Sequence, residues 1–280
     1  MKLSELLSIK LEPLTPPSFK THLNYVKCLN QLSNNLTIDI NFSINSKNYK
    51  KGIIDKKVNL IKTIKKSFDE EYTHVIKNKE YAEVCCTWIA VKSYYLIFNL
   101  SLVLCSLVNC DHRNLLTTHK EIMANVKNLI KSKKLLFNQD KFNEDYPLEK
   151  IWNFKLNPKE TLKNDLDIDK RFLSLLKKIA KYKLLNFSWE KKIENFKKKK
   201  DREERDKFIK NESVMAYEFF YWYRIKANYR DLEFLNQEIG VSDFYSFYEN
   251  YYKLTNIFYN AFTNLINKIA KERIGNILIK

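Results

Sequence analysis

From Tyr94 to Val108 the chain runs fifteen residues without a charge, YYLIFNLSLVLCSLV, inside a longer apolar stretch that extends from Val84 to His119. A segment apolar on every side cannot lie on a surface; it needs either a bilayer or a surround of other elements. Fifteen residues fall short of the roughly 20 that span a membrane, and Lys92 interrupts any extension backwards. The run therefore predicts a central helix, from just after Asn78 to about Asn109, wrapped by other parts of the same chain.

Those other parts must also be helical. Only three glycines (Gly52, Gly240, Gly275) and five prolines occur in 280 residues, three of the prolines before residue 18. All-β and doubly wound folds need many more turn residues than that. The expected fold class is all-α: a helical bundle with long central and C-terminal helices and one short N-terminal β-hairpin or strand. One domain, 1–280, is expected. Within it, 1–78 reads as an N-terminal extension, 80–137 and 168–272 as the bundle, and 138–167 as an inserted connection held by Trp152 and Phe154.

Local patterns place the elements. Pro13, Pro16 and Pro17 predict an extended arm before a helix opened by Ser18. Leu36 to Ile44, LTIDINFSI, alternates with period two, the mark of a half-buried strand that either folds into a hairpin or joins a neighbour's edge. Asp55 to Lys77 places Val58, Ile61, Ile64 and Phe68 on one face, with Asp55 as candidate N-cap. Thr118 precedes a helix with Ile122, Val126, Leu129 and Ile130 inward, which sets His119 at an exposed helix start. Asp165, Asp167 and Asp169 read as a cap for a helix carrying Phe172, Leu175, Leu176 and Ile179. No Gly or Pro interrupts 201–235, which predicts one helix of roughly 50 Å. The last helix, from Ser242, has Phe244, Phe247, Tyr248, Tyr251, Leu254, Phe258, Phe262, Leu265 and Ile269 at helical spacing, a core or dimer face.

Charge narrows the partners. Fifty Lys and Arg against 33 Asp and Glu give +17, a surface that repels itself unless a polyanion offsets it. Two accounts stand: nucleic acid as partner, or a lysine-rich codon bias of an AT-rich genome. Residues 191–210 hold ten of the basic residues against five acids. Lys197, Lys198, Lys199, Lys200 and Arg202 either follow a phosphate backbone, with Trp189 and Phe196 stacking on bases, or form a solvated, salt-bridged helix face. The five cysteines are odd in number and lack a metal-ligand spacing, so they read as reduced core residues. The N-terminus MKLSELLSIKLEPL has no uninterrupted apolar signal core. A cytoplasmic, non-membrane protein without cofactor or metal is expected.

One compact group can do chemistry. Arg113, Asn114 and His119 form R-N-x4-H, a permanent cation and a titratable imidazole one to two helical turns apart. In RNA cleavage an imidazole moves protons on the ribose oxygens while a guanidinium stabilises the pentavalent phosphate. The alternative is a surface arginine and a structural histidine.

KSYYLIFNLSLVL (Lys92 to Leu104), then TTHKEIMANV (Thr117 to Val126), then RIKANYRD (Arg224 to Asp231) before a last amphipathic helix resembles the pattern of HEPN domains. That family carries a Tyr-Tyr pair on a central helix, a His opening the next, and an R-x-x-A-D-Y-like element before the last. Tyr94, Tyr95, His119, Arg224, Ala227 and Tyr229 match, and Asn228 stands where Asp is common. The likeness covers about half of the chain. It implies a metal-independent endoribonuclease of the toxin-antitoxin or antiviral-defence type, acting on RNA as a homodimer under the control of a regulatory partner protein. Arg113, Asn114 and His119 would be catalytic, with Arg224 and Tyr229 joining the lysines in RNA binding. In the family this motif opens a later helix than here. If Arg224 marks the family's usual motif position, the missing His at 229 or 230 implies a non-catalytic member, and the alternative is a nucleic-acid-binding or scaffolding protein that dimerises.

Overall fold

The computed structural model describes residues 19–42, 51–108, 118–154, 167–230, 239–274 and 278–279, and the fold is an all-α bundle with four very short strands among them. In chain order its elements are α1 (Phe19–Leu32), β1 (Ile38–Ile40), α2 (Lys51–Lys77), α3 (Tyr81–Leu107), α4 (His119–Lys131), β2 (Leu135–Phe137), α5 (Asp140–Asn143), β3 (Tyr146–Pro147) and α6 (Leu148–Trp152). There follow α7 (Ile168–Glu190), α8 (Lys199–Asn211), β4 (Ser213–Val214), a 3-10 turn (Ala216–Glu218), α9 (Phe219–Arg230) and α10 (Val241–Ile274).

α3 is the axis. α10 makes the most extensive contact with it, α2 and α9 also pack against it, and α4 meets its middle, where His119 touches Tyr94, Tyr95 and Phe98. Every residue from Leu96 to Cys105 is buried, so no face of that segment meets solvent. By length and composition Trp88–Leu107 suffices to cross a membrane, yet 83% of that window is buried against the rest of the chain. The wrapping helices do for it what lipid would otherwise do. Each fully buried leucine or isoleucine contributes roughly 1.5–3 kcal/mol.

Several polar groups of α3 are answered within the bundle, although among the described residues Asn99 Oδ1 is buried without a hydrogen-bond partner. Lys92, the charge that interrupts the apolar run, pairs with Glu71 of α2, whose second oxygen accepts from the Tyr248 hydroxyl at 2.8 Å. Ser93 and Thr255 pair their hydroxyls at 2.7 Å, and Ser101 meets the Tyr217 hydroxyl. An unpaired buried polar group costs about 1–3 kcal/mol, so these contacts fix which helix faces which.

The aromatic stripe of α10 is core throughout: Phe244, Phe247, Tyr248, Tyr251, Leu254, Phe258, Phe262, Leu265 and Ile269 are all buried. Cys28, Cys85, Cys86 and Cys105 are buried free thiols, and Cys110 falls outside the described residues. Asp167 caps α7, accepting from the amides of Asp169 at 2.7 Å and Lys170 at 3.2 Å.

Several expectations change. The alternating segment takes the second of its two expected forms among the described residues: β1 pairs antiparallel with β2, Ile38 opposite Phe137, so it joins a distant edge. α2 begins at Lys51, which leaves Asp55 inside the helix, and α10 begins at Val241, one residue ahead of Ser242. Ser18 and the proline arm are outside the described residues.

The single helix expected over 201–235 is broken in two. α8 stops at Asn211, because Ser213–Val214 pairs with β3 and the Ser213 carbonyl accepts from Lys127 at 2.9 Å and Lys183 at 2.7 Å. Glu218 then accepts from the Met215 amide at 2.8 Å and meets Lys183 at 3.3 Å and Lys127 at 3.6 Å. An ion-pair network with carboxylate and amine partners ends this helix without Gly or Pro.

Candidate functional site

Three helices converge on one histidine. Thr118 begins the arrangement: its amide donates to Glu121 Oε2 at 2.7 Å, and its side-chain oxygen accepts from the Glu121 amide at 3.3 Å, a capping box. The box fixes His119 as the first residue of α4 and turns its ring against α3. There Tyr94 and Phe98, one turn apart, flank it, with ring centroids 5.4 and 4.2 Å away, and Tyr95 meets it edge-on at 5.7 Å. The Tyr94 hydroxyl lies 2.6 Å from His119 Nδ1.

α9 supplies the third side. Tyr221 and Arg224, three residues apart, share a face of α9, and Tyr217 stands in the 3-10 turn just before it. Tyr217 is held by Ser101, Tyr221 lies edge-on to Tyr94 at 5.8 Å, and Arg224 is thereby set over the tyrosine pair. Its guanidinium is 5.1 Å from the Tyr94 ring and 5.6 Å from the Tyr95 ring, both within cation–π range. Arg224 Nε is buried and has no hydrogen-bond partner, and among the described residues no carboxylate pairs with this guanidinium.

The electrostatics follow from this geometry. Burial, then Arg224, then Lys57 push the His119 imidazole below the ordinary histidine value of 6.5. Burial raises the Tyr94 phenol far above its usual range, against a smaller opposing pull from Arg224. At neutral pH the pair is thus a phenol and a neutral imidazole. The phenol keeps its own proton, and which of the two groups donates across the 2.6 Å contact follows the imidazole tautomer. A neutral imidazole near the Arg224 guanidinium suits proton transfer at a phosphate, whose negative charge would offset the field of that cation.

His119, Arg224, Tyr94 and Tyr95, drawn from three helices, come together in the structure. His119 differs from expectation in one respect: it is partly buried among aromatic rings rather than set at an exposed helix start. Arg113 and Asn114 lie outside the described residues, as does the side chain of Tyr229. Phe98 and Tyr221 join the site through ring contacts without a role having been assigned to them in the sequence, and Lys57 acts on it only through its charge. Phe98 was accessible, standing four residues after Tyr94, and Tyr221 three before Arg224. Nothing local marks Lys57.

The basic segment is elsewhere. Lys197, Lys198, Lys199 and Lys200 are all exposed, and α8 buries no residue. Lys199 lies 4.0 Å from Glu203, Arg205 2.8 Å from Asp206, and Arg202 donates to the Lys197 carbonyl at 3.1 Å. One contact leads from the site towards this segment: Lys120, next to His119, meets Glu190 at 3.2 Å, one residue before the segment begins at Lys191. Trp189 beside it is exposed, and Phe196 lies under the Arg205 guanidinium at 5.6 Å.

No protein-family model matches the chain, and no significant match is found among curated proteins or solved structures. The likeness to HEPN domains therefore rests on the Tyr94, Tyr95, His119 and Arg224 pattern alone.

Proposed function

We propose that the chain binds RNA and cleaves it at the His119 cluster as a metal-independent endoribonuclease, in a toxin or antiviral-defence role of the HEPN type. The observation that carries this reading is the convergence of Tyr94, His119 and Arg224 from three separate helices, with the Tyr94 hydroxyl 2.6 Å from the imidazole and the guanidinium 5.1 Å from the Tyr94 ring.

In the proposed reaction the 2′-oxygen attacks the adjacent phosphorus while the bond to the 5′-oxygen breaks. The products are a 2′,3′-cyclic phosphate and a 5′-hydroxyl end. His119 takes the 2′-hydroxyl proton or returns one to the leaving 5′-oxygen. To serve as base it needs the tautomer with the ring proton on Nδ1, donated to the Tyr94 oxygen, which leaves Nε2 free to take a proton. Arg224 neutralises charge growing on the phosphate, together with Arg113 and Asn114, which precede His119 by six and five residues in the chain. The protein would work in the cytoplasm, as a homodimer answering to a regulatory partner.

A second reading keeps RNA or other nucleic acid as ligand and drops catalysis. The observation behind it is the Tyr94 hydrogen bond itself, which occupies one nitrogen of a ring packed like a core residue. The two separate in one assay. Cleavage of RNA by purified protein in the presence of EDTA, abolished in His119→Ala, supports the enzyme; an uncleaved but bound substrate supports the binding protein.

A further inference from the structure

The N-terminal half of α3 presents a face that the bundle leaves open. Val84, Trp88, Val91 and Tyr95 follow at steps of four, three and four, so they share one side of the helix. Val84 is 63% and Trp88 59% exposed, the two most open large apolar side chains on this helix, while Val91 and Tyr95 are half-buried. Among the described residues the Trp88 indole has no ring partner and no hydrogen bond. Tyr95 at the far end touches the site directly, edge-on to His119 at 5.7 Å and beneath Arg224 at 5.6 Å. Trp88 and Tyr95 are seven residues apart, about 10 Å along the helix axis.

We infer that this ridge is a stacking track for unpaired RNA bases, laid along α3 so that the strand's phosphate reaches Arg224 and His119. The inference rests on the RNA reading above and adds a substrate class, single-stranded RNA engaged over several nucleotides. Charge favours this occupant, since a chain of +17 attracts a polyanion. Shape favours unpaired over paired bases. A base inside a duplex is stacked on its neighbours and offers no face to an indole, whereas a single strand offers every face in turn.

The test uses full-length protein and a short 2′-O-methyl oligo(A), which cannot be cleaved through its 2′-oxygen, beside an abasic polymer of the same length and charge. Fluorescence anisotropy gives the dissociation constants, and sedimentation gives the mass. Trp88→Ala should weaken oligo(A) binding roughly tenfold, the scale of a single base stack. Binding of the abasic polymer and the salt slope should stay unchanged, because every phosphate contact is retained. Trp88→Phe should recover most of the affinity. Equal oligo(A) binding by Trp88→Ala and parent overturns the track while leaving RNA binding intact, and so does equal weakening on both polymers. A fall in mass in Trp88→Ala identifies a copy-to-copy interface instead. If the parent binds neither polymer, the RNA reading fails and the track with it.

Discussion

The chain carries positive charge in two settings that differ in kind. At α8, Lys197 to Lys200 and Arg202 stand in water, interleaved with acids, one lysine 4.0 Å from Glu203. At the His119 cluster there are fewer cations, yet Arg224 has a buried nitrogen without a partner and lies over two aromatic rings. Solvated charges of the first sort act through counterion release, alter affinity with salt, and choose little. Desolvated charges of the second sort act at short range and can favour one charge distribution over another. The abundance of lysine in the sequence draws attention to the first region, whereas the proposed function places the chemistry in the second.

The contrast can be broken most decisively at His119. Replacing it with alanine should lower EDTA-resistant cleavage by about 10²- to 10⁴-fold, the usual worth of a general acid–base group, measured as initial rates. The melting temperature should also fall, by the equivalent of about 1–3 kcal/mol, because the ring packs on Phe98 and Tyr94. An unchanged rate would return the site to a purely structural role.

Arg224→Gln comes next and sharpens the comparison. Cleavage should fall about 10²-fold or more, the cost of one charge-stabilising donor. The His119 titration, followed by its imidazole proton resonance, should move up towards 6.5, since Arg224 is one of the groups holding it down. Charge reversal of Lys197 to Lys200 should do the opposite. It should weaken RNA binding and flatten the salt slope by up to about 0.7 for each phosphate no longer neutralised, while the His119 resonance does not move. A shift there would show that the two regions communicate.

Two smaller effects test the frame of the site. Thr118→Ala removes the cap that orients His119 and should cost about 1 kcal/mol in chemical denaturation. Stability should also fall with acid. The folded state holds the His119 value below its unfolded value of 6.5, so the unfolded chain binds more protons in that interval. The contribution is complete above pH 6.5 and disappears as pH falls through the folded value, and in His119→Gln this part of the pH dependence should vanish.

Much of the architecture was legible in periodicity. The central helix follows from an uncharged run that no surface can hold, and the stripe from Phe244 to Ile269 announced the helix that covers it. The break between α8 and α9 was not legible, because Lys127 and Lys183, 86 and 30 residues before Ser213, take part in ending the helix, which local propensity does not encode. Of the site, His119, Arg224 and the tyrosine pair were legible as a pattern, and their meeting depended on helix order. The burial of His119 was hidden because a helix start looks exposed in sequence and becomes half-buried only when α3 passes beneath it.

The enclosure of α3 also has a consequence for synthesis. Its most extensive cover, α10, is the last long element of the sequence, beginning at Val241, whereas the segment it shields ends at Leu107. A nascent chain emerging at about 5–20 residues per second thus spends several seconds or longer with its most apolar helix made and its lid unmade. During that interval Leu96 to Cys105 is a hydrophobic client for chaperones or a seed for aggregation. A ribosome-stalled chain ending before Val241 should be retained by a holdase and released once synthesis passes Ile269; equal retention of both would show that the earlier helices already cover α3.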